Sequence, residues 1–126
     1  MSEKSTPTER ELDILKVLWR RREATVRQVY EEIREEFPIV QNTVQALLRT
    51  MEEKGLVRHR VEGRAFVYSP TEARDGTTKN MVNHLLQSAF DGAIDQLVDS
   101  LFSLRKPNKK ELDYLERLIQ EKKKEA

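Results

Sequence analysis

The chain has 126 residues, 37% hydrophobic and 36% charged, with 23 Lys and Arg against 22 Asp and Glu for a net charge of +1, and it has no cysteine. Length admits one ordinary domain or two very small ones, and the missing cysteine excludes disulfides, thiolate metal sites and cysteine nucleophiles. No stretch approaches the roughly 20 apolar residues of a membrane span, and Met1 to Pro7 holds no apolar signal core, so a soluble, cytoplasmic protein without membrane contact is expected. So charged a chain has either a small core or an extended helical form completed by a partner.

Thr8 followed by Glu11 is a capping-box pair, and Leu12, Leu15, Leu18 and Trp19 recur at helical spacing. A first helix is predicted over about 9–19, with Trp19 in the core. Thr25 with Gln28 opens a second, whose Val26, Val29, Tyr30 and Ile33 share a face and which Pro38 is expected to end, because the residue before proline avoids helical geometry. A third helix over about 41–54 turns Val44, Leu47, Leu48 and Met51 inward and Asn42, Gln45, Ala46 and Arg49 outward, with Gly55 as its left-handed stop. Runs at 56–61 and 65–68, rich in β-branched and aromatic residues, flank Glu62-Gly63-Arg64 and predict a two-stranded hairpin with Phe66 and Tyr68 packed behind it. Three helices and a hairpin in this order make a winged helix-turn-helix, and the fold class expected is mostly α with a small β-hairpin.

The outward face of the third helix carries the chemistry of base reading. Asn42 and Gln45 are amides of the type that pair with adenine, Thr43 can meet a thymine methyl or a phosphate, Arg49 suits phosphate or guanine, and Ala46 shares their face. Thr25, at the start of the second helix, joins this candidate DNA-binding set. From Lys54 to Tyr68 the basic residues Lys54, Arg58, Arg60 and Arg64 face only Glu62, while Glu31, Glu32, Glu35 and Glu36 make an acidic face upstream. Arg58, Arg60 and Arg64 are therefore the candidate wing contacts to the DNA backbone, and strand alternation puts Arg58 and Arg60 on one face.

At about 71–76 the chain changes character, which divides it into a DNA-binding domain over 1–73 and a helical domain over 74–126. Three helical pieces are predicted near 75–89, 92–103 and 109–123, the last started by Asn108 with Glu111. Three short amphipathic helices bury too little surface to offset chain entropy alone, so this part is expected to form a homodimer. Its candidate dimerisation residues are Leu85, Phe90, Ile94, Leu97, Val98, Leu101, Phe102, Leu115 and Leu118. Asp91, Asp95 and Asp99 fall on one helix face and read as a solvated acidic ridge. His59 and His84 lack ligand-spaced companions and read as surface or interface residues, and 121–125 reads as a frayed helix end. Nothing argues for catalysis, a metal or a cofactor.

Four segments carry a resemblance to a known family: Thr8 to Trp19, Ala24 to Tyr30, Thr43 to Val57 and Gly63 to Pro70. Together they resemble the BlaI/MecI penicillinase repressors and their copper-responsive CopY relatives, densely over about the first 70 residues and beyond 74 by helical pattern alone. The resemblance implies a winged-helix dimer that covers a palindromic double-stranded DNA operator and represses transcription. In the best-known branch it also implies a sensor-linked protease that cleaves the C-terminal domain and weakens the dimer. Three departures stand out: Thr50 replaces an arginine frequent late in the recognition helix, Ser100-Leu101-Phe102 stands nearest the cleaved Asn-Phe pair, and the copper branch's C-terminal cysteines are absent. The rival expectation is a winged helix used as a protein-protein interaction module without specific DNA binding.

Overall fold

A computed structural model describes residues 6–126; the first five residues of the stretch read for a signal core lie outside them. Helices α1 (Glu9–Arg21), α2 (Val26–Ile33) and α3 (Gln41–Glu53) precede the hairpin of β2 (Val57–Glu62) and β3 (Ala65–Pro70), with a two-residue strand β1 (Ala24–Thr25) between α1 and α2. The chain divides into two compact units, the first ending at His84 and the second spanning Leu85–Ala126.

In the first unit, both expected capping boxes form: Thr8 with Glu11 starts α1 and Thr25 with Gln28 starts α2. Each satisfies backbone donors that a helix start leaves without intrahelical partners. α2 ends at Ile33, earlier than Pro38 requires, because the next residues fold back on its last turn: Arg34 N–H donates to Tyr30 O, and Glu36 and Phe37 N–H both donate to Ile33 O. α3 stops at Gly55, whose φ of 82° is open to a residue without Cβ. There Gly55 N–H reaches Glu52 O and Leu56 N–H reaches Met51 O, the paired bonds of a Schellman cap.

The sheet has three antiparallel strands in the order β1-β3-β2, not the two expected. Ala24 opposes Tyr68 and Thr25 opposes Val67, so the link between α1 and α2 becomes an edge strand too short to carry a periodic signal. Ile14, Leu15, Leu18, Val29, Ile33, Val44, Leu48, Met51 and Val57 fill the core between helices and sheet, with Trp19, Phe37 and Leu47 packed partly buried against it.

α4 (Arg74–Phe90) crosses from the first unit into the second, which continues with α5 (Ile94–Leu104) and α6 (Lys109–Glu125). Asp91 and Gly92, at φ 50° and 83°, turn the chain between α4 and α5. Asn108 and Glu111 form the third capping box, and α6 continues through Glu125, so the stretch read as a frayed end is helical. No residue of 85–126 is buried. Among the described residues, no helix is long and apolar enough to cross a membrane.

Candidate nucleic-acid interface

α3 is anchored by Val44, Leu48 and Met51, all fully buried, which leaves Asn42, Thr43, Gln45, Ala46 and Arg49 exposed along its opposite side. Gln41, Gln45 and Arg49, spaced by four, line one wall of a groove. Thr25 and Arg27 from the start of α2 close one end, and Arg64, Ala65 and Phe66 from the hairpin make the facing wall. Gly63 (φ 64°) gives the two-residue turn its bend and puts Arg64 at the tip. The structure thus brings Thr25, Gln45, Arg49 and Arg64 together, and sets Asn42, Thr43 and Ala46 on the same exposed helix face outside the groove. Arg49 and Arg64 have no carboxylate partner among the described residues.

The hydroxyl oxygen of Thr25, which lines the groove, accepts Gln28 N–H at 3.2 Å, and a hydroxyl that accepts in this way keeps its own proton for donation. Tyr68 lies at the floor. Burial, and then the nearby Glu52 carboxylate, push its phenol above the ordinary range against a smaller opposing effect of Arg49, so it stays protonated at neutral pH.

The wing is tied to α3 through a histidine. His59 Nδ1 lies 2.7 and 2.8 Å from the two Glu52 carboxylate oxygens, and Phe66 stacks on the imidazole with ring centroids 4.1 Å apart and planes 13° from parallel. His59, read as a surface or interface residue, links α3 and the hairpin. Phe66, expected behind the hairpin, is instead 46% exposed. Alternation assigns it correctly to the Tyr68 face, but the core ends before the strand reaches it.

Arg58 and Arg60 alternate with His59, so both point to the sheet face turned away from α3. The Arg60 guanidinium is hydrogen-bonded to Glu62 and, at 2.6 Å, to Glu23; these bonds, Glu62 first, raise its pKa further, and the two carboxylates offset its charge. The structure therefore separates Arg58 and Arg60 from Arg64, although alternation does place the pair together. Gln41 and Arg27 were not among the sequence candidates. The four-residue spacing from Gln41 to Arg49 is the signal that points to the first; Arg27, paired with Glu31 at 2.9 Å, offers none.

Helix-turn-helix, wing and a groove lined by amides and guanidinium groups define a winged helix-turn-helix protein. The sequence pattern of the penicillinase repressor family matches residues 7–121, and the chain belongs to that family, which makes it a transcriptional regulator and not an enzyme. It is 24% identical over 113 residues to the penicillinase repressor of Bacillus licheniformis, covering 90% of this chain and 88% of that protein. The solution structure of the DNA-binding domain of the repressor BlaI superposes with a TM-score of 0.53 at 28% identity, over 59% of this chain and 90% of that one. The monomeric form of Bacillus licheniformis BlaI in complex with the blaP half-operator gives 0.51 at 28% identity, over 60% and 92%.

Proposed function

We propose that the chain is a cytoplasmic, homodimeric repressor that binds a palindromic double-stranded operator and blocks transcription by occupying it. The observation that carries this reading is the line Gln41, Gln45 and Arg49 facing Arg64 across one groove, with Asn42, Thr43 and Ala46 exposed beside it. α3 enters the major groove, where Gln45 and Asn42 read base edges and Thr43 and Ala46 fit between them. Arg49, Arg64 and the Thr25 hydroxyl hold phosphates, fixing register. The BlaI relative bound to its half-operator supports the same docking here.

Residues 74–126 supply the second copy. Leu85, Ile94, Val98, Leu101 and Phe102 are exposed, and Phe90, Leu97, Leu115 and Leu118 only half-buried, an apolar surface suited to self-association. Ser100-Leu101-Phe102 lies exposed within α5, where cutting by a sensor-linked protease would split this surface and release the operator. A protease has to unwind α5 first, so local opening sets the rate of such induction.

The test is selection of bound sequences from random duplexes, then titration of Gln45→Ala on the selected site and on random DNA. Loss on the order of 1–3 kcal/mol is expected on the selected site, with little change on random DNA. Equal losses on both would reduce Gln45 to a positioning role, and failure to enrich any sequence would remove specific recognition.

A further inference from the structure

A second basic groove lies in the first unit, on the sheet face opposite α3. Its rim is Lys16 from α1, Arg22 just past its end, Arg58 from β2 and Arg74 from α4, and its floor includes Trp19 and Pro70. None of the four cations has a carboxylate partner among the described residues, whereas Arg20 beside them is paired with Glu32. Among the described residues lining the groove the one carboxylate is Glu72, which accepts from Thr77 Oγ1 of α4 at 3.4 Å and Asn80 Nδ2 at 3.2 Å. Its backbone carbonyl holds the Trp19 indole N–H at 3.0 Å, which fixes the aromatic floor.

Arg22 adds an independent observation. It caps α1 at φ 78°, ψ −39°, a conformation that penalises any residue with a Cβ and suits glycine. The arginine costs backbone strain and leaves a guanidinium on the groove's edge.

We propose that this groove docks an acidic, extended peptide segment of a partner protein. Carboxylates would pair with the four cations, Arg22 and Arg58 offering forked donors, and an apolar residue would cover Pro70 and the part of Trp19 that Arg74, 5.9 Å from the ring centroid, leaves open. A DNA backbone supplies the anions but nothing apolar for that floor. Because Arg58 and Ser69 sit on the face opposite the one His59 ties to α3, the groove stays open while α3 occupies DNA.

The test uses the full chain and a fluorescein-labelled peptide alternating Asp and Glu with Leu and Phe, beside the same peptide with Asn and Gln for the acids. Saturable, salt-sensitive binding of the acidic peptide alone is expected, undisturbed by saturating duplex. Lys16→Glu/Arg22→Glu should weaken it at least about tenfold while leaving duplex affinity as it was. Arg22→Gly separates docking from folding: Tm should rise as peptide affinity falls. Equal binding of both peptides, displacement by duplex, or no difference between wild type and variants would overturn the assignment. Parallel loss of duplex affinity in Lys16→Glu/Arg22→Glu would overturn it too, by making the groove a DNA surface.

Discussion

Glu11 is 2% exposed, and one oxygen of its carboxylate takes two donors. Its carboxylate takes Thr8 N–H at 2.9 Å, closing the α1 capping box, and the Lys54 ammonium at 2.6 Å, just past the end of α3. One side chain therefore starts the first helix and fixes the far end of the recognition helix. The first role is legible locally, three residues from Thr8; the second is not, because Lys54 lies 43 residues away. Lys54→Ala leaves a buried carboxylate without its cation, and a loss of about 1–3 kcal/mol is expected. Glu11→Gln keeps the cap acceptor and removes the charge, so in that background Lys54→Ala should cost clearly less. Urea denaturation of the four proteins measures the difference; additive losses would mean that the two groups do not cooperate.

At the scale of elements, the sequence marks where helices begin better than where they end. All three capping boxes occur where Thr8, Thr25 and Asn108 stand three residues before Glu or Gln, since the signal is short and local. The end of α2 depends on bonds closing around the Ile33 carbonyl, and β1 exists only because Tyr68 and Val67 come to lie beside it. The site divides the same way: the exposed face of α3 follows from its own period, whereas the Arg60 pairing with Glu23, 37 residues distant, does not. The α6 cap gives a pH test. Two hydrogen bonds from Arg105, both 2.9 Å, and then Asn108 N–H hold the Glu111 carboxyl down to about 2 from an ordinary 4.5. A depressed carboxyl pKa stabilises the folded state fully above the unfolded value and loses that contribution as protons bind. Wild type should therefore exceed Glu111→Gln in stability by a constant margin above pH 4.5, and the margin should close between pH 4.5 and about 2. Glutamine still caps, so the comparison isolates the charge. A margin independent of pH across that window would show that the Arg105 pair contributes nothing.

For the molecule as a whole, the decisive contrast is between its two units. The first buries Leu18, Val29, Val44, Leu48 and Met51 completely; in the second Ile94 is 65% exposed, Leu101 53%, Ile119 55% and Leu112 45%. A unit with no buried side chain over 85–126 does not offset its own conformational entropy, which runs at about 1–2 kcal/mol per residue for the backbone alone. Covering a large aliphatic side chain returns about 1.5–3 kcal/mol, so a second copy laid on this face, as proposed, would supply what the isolated unit lacks. In the proposed homodimer, folding of this unit and dimerisation would be one event, and its melting temperature should rise with protein concentration. Leu101→Asp puts a charge on that face and is expected to convert dimer to monomer in light scattering. Each winged helix would still find its half-site, but losing the coupling between two half-sites should weaken binding to the full operator by about 100-fold or more. Binding to an isolated half-site should stay nearly unchanged, because Thr25, Gln45, Arg49 and Arg64 all belong to the first unit. A Leu101→Asp protein that remains dimeric, or that loses half-site and full-operator binding together, would break the link between this apolar face and recognition of two half-sites.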